Sequence, residues 1–217
     1  TAVVKDSAAT LLGTASTFAG IAGTTTDVNA ITIARSKLTA VSDATGIVTS
    51  SHVPSSADVM AVFAFTAEGY DVTINTVTLK LAGSTLTTVT ATLIDADTGL
   101  AWGSSAASRW NTQYGSNAST SISFFPAYTL SSGATKRVKV QVDTNGGTTG
   151  DTAFTSTTGT TNGTLAQWSI DNDTGTKGTH ATAYNALCWS DTITACSAGA
   201  FNLEAKVLPI YGPSIRY

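Results

Sequence analysis

Two short stretches hold the acids best placed to act together. DADTG (Asp95, Asp97, Gly99) and DNDTG (Asp171, Asp173, Gly175) share the pattern Asp-x-Asp-x-Gly. Carboxylates two residues apart can turn their oxygens on one hard cation, and glycine permits the tight return, so each stretch reads as half of a calcium loop. Neither copy has the distal Glu that completes such a loop, and Asp, Asn and Gly are also ordinary hairpin-turn residues. Asp95, Asp97, Asp171 and Asp173 are thus candidate calcium ligands, and no other cofactor is expected. A glycosidase would need two carboxylates opposed across a cleft, which spacing in sequence does not reveal.

Other chemistry is sparse. The two histidines, His52 in TSSHVPSS and His180 in GTKGTHATA, fall in loop-like sequence, outside any H-E-x-x-H or Cys/His cluster, and read as solvated. No Gly-x-Ser-x-Gly elbow occurs, and TGTKGTH lacks the spacing of a phosphate-binding loop. The expectation is a protein that is not an enzyme. Cys188 and Cys196, in CWSDTITAC, would close a small disulfide loop in a secreted protein, contributing about 2–3 kcal/mol; two buried thiols are the other reading. Asn117, Asn162 and Asn172 each open an Asn-x-Ser/Thr sequon in turn-like sequence, where a glycan could attach. Trp102, Trp110, Tyr114, Trp168 and Trp189 could line a sugar-binding face, although core plugs and loop anchors are the commoner use of Trp in a β-sandwich.

The elements that must position these residues are β-strands. Of 217 residues, 41 are Thr and 23 are Ser, while only 12% are charged. Threonine favours strands, and Ser and Gly supply turns. The hydrophobic share of 42% is too high for a disordered chain. A net charge of −3 gives no footprint for nucleic acid or an anionic membrane, and no apolar run is long enough to span a bilayer. With no initiator Met and no signal peptide, Thr1 is expected to be the start of a processed chain.

Alternation marks the strands. Ile31 and Ile33 alternate in AITIARSKLTAVS. ADVMAVFAFTAE is apolar on both parities, as for a central strand covered on both faces. In DVTINTVTLKLAG, Val72 and Ile74 are even but Val77, Leu79 and Leu81 are odd, which predicts a bulge or bend near Asn75–Thr76. Val89, Ala91 and Leu93 alternate with threonines, Ile122 and Phe124 with serines, and Val138, Val140 and Val142 with polar residues. A last strand, AFNLEAKVLPIY, would turn Phe201, Leu203, Ala205 and Val207 inward. Eight or nine strands with no helix after residue 30 predict an all-β protein: a Greek-key/Ig-like or jelly-roll-like β-sandwich over residues 29–217, with an N-terminal arm over 1–28.

The segment FAFTAEGYDVTINTVTLKLAGSTLTTVTATLIDADTGLAWGSS, followed by ISFFPAYTLSSGATKRVKVQVDTN, resembles a β-sandwich module of bacterial and archaeal cell-surface proteins, S-layer-like or pilus- and filament-forming. The last strand of that pattern is carried by Leu130, Gly133, Thr135, Lys136, Val138, Val140 and Asp143. The resemblance spans roughly residues 35–150. It implies a cell-surface structural module and brings no catalytic residues.

The arm TAVVKDSAATLLGTASTFAGIAGTTTD admits three readings. Ala8, Leu11, Ala15, Phe18 and Ala22 follow helical spacing behind Ser7, though Gly13, Gly20 and the threonines weaken that helix. A frayed terminus is the second. The third is an extended donor strand, in which Val3, Val4, Leu11, Leu12 and Phe18 fill pockets along the open edge of a neighbouring copy. A head-to-tail contact of this kind that does not close makes a filament or lattice. The expected protein is therefore an extracellular structural subunit that self-assembles with copies of itself through donor-strand complementation, as a pilus-like filament or S-layer. A monomeric cell-surface adhesion or carbohydrate-binding module is the alternative, and a secreted hydrolase the remote third.

Overall fold

The computed structural model describes residues 36–49, 52–83, 88–102, 108–111, 121–146, 153–154, 163–171, 186–191 and 208–217, all within the unit Ala34–Tyr217. The arm residues 1–28, including Val3, Val4, Leu11, Leu12 and Phe18, lie outside them, as do Ile31 and Ile33. Among the described residues there are eleven strands and no helix: β1 (Lys37–Ser42), β2 (Asp58–Glu68), β3 (Val72–Gly83), β4 (Thr88–Asp95), β5 (Ser108–Asn111), β6 (Ser121–Phe124), β7 (Tyr128–Leu130), β8 (Thr135–Val142), β9 (Leu165–Ile170), β10 (Leu187–Ser190) and β11 (Ile210–Arg216). The strands beyond the eight or nine expected are short ones, such as β5, β7 and β10, too brief to show alternation.

The strands form two sheets with antiparallel pairing throughout. The first runs β1-β2-β8-β4-β5. The second is organised by β3, whose twelve residues take four partners. Leu79 pairs with Ile122 of β6 and with Ile170 of β9, while Ile74 pairs with Tyr128 of β7 and Trp189 of β10. Hence β6 and β7 share one edge of β3, and β9 and β10 share the other. β11 continues outward from β9.

The parity switch in β3 is a bulge. Trp189 pairs with Ile74 and its neighbour Cys188 with Thr76, leaving Asn75 as the extra residue. The Asn75 amide fills the gap, donating from Nδ2 to the Thr73 carbonyl (3.1 Å) and to Ser190 Oγ (2.8 Å). One inserted residue restores Val77, Leu79 and Leu81 to the core face that Val72 and Ile74 began.

Both sheets turn apolar rows into one shared core. Val89, Ala91 and Leu93 of β4 and Val138, Val140 and Val142 of β8 share that core with Leu79, Leu81, Trp168 and Ile170 of the second sheet. In β2, a register shift at Met60 places Ala61, Phe63, Phe65 and Ala67 inward, with Val62 buried on the opposite parity. The indole of Trp168 in β9 donates to Met60 Sδ across the core (3.4 Å). Gly212 of β11 packs tightly against β2 of the other sheet and against its own neighbour β9. A Cβ there would lie 2.9 Å from Ala61 Cβ and 2.9 Å from the Trp168 carbonyl oxygen. The last strand begins at Ile210, after Pro209, so its described core residues are Ile210 and Ile215; Phe201, Leu203, Ala205 and Val207 lie outside the described residues.

Candidate functional site

Two polar clusters interrupt the core, at opposite ends of the β2–β8 pair. At one end, Lys136 stands on the same parity of β8 as Val138, Val140 and Val142, so its stem runs into the interior. Asp95 stands on the parity of Val89, Ala91 and Leu93 in the adjacent β4. Their side chains are only 10% and 11% exposed, and Lys136 Nζ lies 2.6 Å from Asp95 Oδ2. Asp97, largely exposed, brings its Oδ2 to 3.0 Å from the same nitrogen.

The turn after β4 builds the acid side. Asp95 Oδ1 accepts the backbone N–H groups of Asp97 (2.9 Å) and Thr98 (3.3 Å). The Gly99 N–H closes on the Asp95 carbonyl (2.9 Å), and its φ of 72° is one that glycine adopts without strain. Aromatic rings wall the amine. The Tyr128 ring centroid lies 5.7 Å from Nζ, Trp102 is tilted against Tyr128, and Phe65 stacks on Trp102. Burial pushes the Asp95 carboxyl up. The hydrogen bonds from Lys136 and from the Asp97 and Thr98 N–H groups outweigh it and hold the group below the usual carboxylate range. The bond to Asp95 raises the Lys136 ammonium above its ordinary value, against burial, and Asp97 adds to the rise.

This geometry revises the calcium reading of DADTG. The Lys136 ammonium stands between Asp95 and Asp97, where the two carboxylates would have held a divalent ion. In DNDTG, Asp171 lies 4.0 Å from Lys80 Nζ, and Asp173 lies outside the described residues. Among the described residues, no group of three or more His, Cys, Asp or Glu is arranged to hold a metal.

At the other end, Asp58 of β2 is buried and gathers three partners on its Oδ2. Tyr217 Oη donates at 2.6 Å, the Thr144 hydroxyl, shared with the Ser55 carbonyl at 3.0 Å, lies at 3.3 Å, and His52 Nδ1 approaches to 3.1 Å without hydrogen-bond alignment. Thr144 accepts the Ser55 N–H through Oγ1 (2.8 Å) and donates its own N–H to the Ser55 carbonyl (2.9 Å). The Tyr217 ring packs edge-on against Phe154 (centroids 4.9 Å apart) and tilted against His52 (5.2 Å). Burial and the bond to Asp58 push the Tyr217 phenol far above its ordinary value. His52 is thus not a solvated loop residue: its side chain is 21% exposed, and its N–H donates to the Arg216 carbonyl while Arg216 donates to Thr49, tying the loop to β11. No hydroxyl or thiol among the described residues is hydrogen-bonded to His52 Nδ1.

The remaining predicted residues divide between core and undescribed segments. Trp102, Trp168 and Trp189 are buried, so three of the five aromatics proposed as a sugar platform present no open face. The side chains of Trp110 and Tyr114 lie outside the described residues, as do His180 and the sequon residues Asn117, Asn162 and Asn172. Cys188 is disulfide-bonded; the one other cysteine of the sequence is Cys196, itself outside the described residues.

Lys136, Asp58 and Tyr217 carry the interior polar chemistry; the sequence marked Lys136 only as part of a strand pattern, and Asp58 and Tyr217 not at all. The signal for Lys136 was present: a lysine in phase with three buried valines, as Asp95 is in phase with Val89 and Leu93. No family model, curated protein or solved structure matches this chain.

Proposed function

We propose that this chain is an extracellular, non-enzymatic structural subunit, a β-sandwich of Greek-key/Ig-like or jelly-roll type, that polymerises with copies of itself by strand addition. The observation that carries the reading is the edge of β1 along which no described strand pairs. Its six residues pair with β2 along one side only, and among the described residues no strand lies along the other. Leu38 and Ala40 of β1 point into the core while Val41 is 51% exposed, so an added strand would extend both the ladder and the apolar row. Residues 1–28 carry Val3, Val4, Leu11 and Leu12 with small residues between them, which an added strand could seat in apolar pockets. The disulfide at Cys188 and the three sequons support an extracellular setting.

In this reading Val3, Val4, Leu11, Leu12 and Phe18 of one copy supply the contacts to the next. A variant lacking residues 1–28 should fold and remain monomeric by sedimentation and electron microscopy, where the full chain forms filaments or sheets. Normal polymerisation of that variant would overturn the proposal.

A further inference from the structure

We propose that Lys136 and Asp95 are the two partners of an intramolecular isopeptide bond that the protein forms without any other enzyme, with Asp97 as the proton carrier. This modification is independent of how, or whether, the chain polymerises.

The four parts of an acyl-transfer centre meet at one point. Lys136 Nζ is the nucleophile, held 2.6 Å from Asp95 Oδ2 by two strands of one sheet. The electrophile is Asp95 Cγ. Its other oxygen, Oδ1, already accepts the Asp97 and Thr98 N–H groups, which are placed to stabilise the charge that develops when Cγ becomes tetrahedral. The second acid, Asp97, has its Oδ2 3.0 Å from the attacking nitrogen. Burial of the amine and of Asp95, and the wall of Tyr128, Trp102 and Phe65, keep competing water away. Held contacts of this kind replace the improbable encounter of two free groups.

The reaction balances within the pair. The resting state is the ammonium–carboxylate ion pair. Asp97 takes one proton from Nζ and passes it to Asp95 Oδ2, and the free amine attacks the now neutral carboxyl at Cγ to give a tetrahedral species whose oxyanion sits on the two N–H groups. A second proton leaves the nitrogen, Asp95 Oδ2 departs with both protons as water by way of Asp97, and the Nζ–Cγ amide remains. Nothing is oxidised or reduced, and no co-reactant is consumed. The product would fasten β4 to β8 covalently at the end of the first sheet, opposite the Asp58 cluster.

Intact-mass spectrometry of the purified full chain under reducing conditions reads the reaction directly. The expected mass is one water below that of the sequence, and a protease digest should yield a branched peptide joining the Lys136 segment to the Asp95 segment. Lys136→Arg should show the full sequence mass. Asp97→Ala, with a circular dichroism spectrum like the wild type, should lose water far more slowly. A wild-type chain that keeps its full mass on prolonged incubation, with Lys136 open to an amine-acylating reagent after denaturation, overturns the proposal and leaves an ion pair only. Water loss by Asp97→Ala at the wild-type rate overturns the role given to Asp97.

Discussion

Replacing Tyr217 with phenylalanine deletes one oxygen from the Asp58 cluster and leaves the ring that carries it. Tyr217 Oη donates to Asp58 Oδ2 over 2.6 Å in a site where Tyr217, Thr144 and Phe154 are all buried. A hydrogen bond to a charged group contributes about 1.5–3 kcal/mol, and its loss is worse where the acceptor stays buried. Asp58 keeps the Thr144 hydroxyl at 3.3 Å and the His52 ring beside it, which argues for the lower half of that range, about 2 kcal/mol. The ring contacts with Phe154 and His52 survive, so no methyl-sized cavity opens. For a chain of this length, about 2 kcal/mol corresponds to a fall in Tm of roughly 4–8 °C.

The same substitution has a pH signature. The phenol's folded pKa lies above its unfolded value, mainly through burial and then through Asp58. Its contribution is therefore complete below the unfolded pKa near ~10 and is lost as pH climbs beyond it. Wild-type protein should lose stability on the alkaline side of about pH 10, and Tyr217→Phe should lack that limb. Urea melts followed by tryptophan fluorescence, from neutral pH to about pH 11, make the comparison. A cost under about 0.5 kcal/mol at neutral pH, or an alkaline limb identical in both proteins, would refute the reasoning.

Three further substitutions test other parts of the structure. Gly212→Ala forces a Cβ to within 2.9 Å of both Ala61 Cβ and the Trp168 carbonyl, and backbone must move, so a loss of about 1–3 kcal/mol is expected in denaturant melts. Asp95→Ala strips Lys136 of its nearest partner in a buried site and should cost about 3–5 kcal/mol by the same measurement. Asn75→Ala leaves the β3 bulge without its two side-chain hydrogen bonds; a fall of about 1 kcal/mol is expected, and a neutral result would show that the bulge is held by the backbone alone.

Much of the strand content was readable from alternation alone. Val89/Ala91/Leu93, Ile122/Phe124 and Val138/Val140/Val142 are buried as their spacing requires, and the switch from Ile74 to Val77 marks the bulge at Asn75. Short pieces without alternation escaped notice, among them β7 and β10. The candidate sites were less legible. Asp95 and Asp97 were singled out for a cation, but the cation is a lysine from another strand. His52 read as solvent-facing because its sequence neighbours are polar, whereas its burial comes from Asp58, Tyr217 and the β11 backbone.

By itself the sequence determined what depends on neighbours along the chain: the all-β composition, the face each alternating residue takes, the turns at Asp and Gly, and the residue at which β3 must change phase. Only the tertiary structure decided which strands pair, that β8 lies between β2 and β4, and that β3 serves four partners. Backbone hydrogen bonds carry no record of side-chain identity, so several pairings satisfy one pattern. The same reason governs the polar clusters. Lys136 and Asp95 are separated by 41 residues and Asp58 and Tyr217 by 159, and their meetings exist only once the sheets have brought distant strands together.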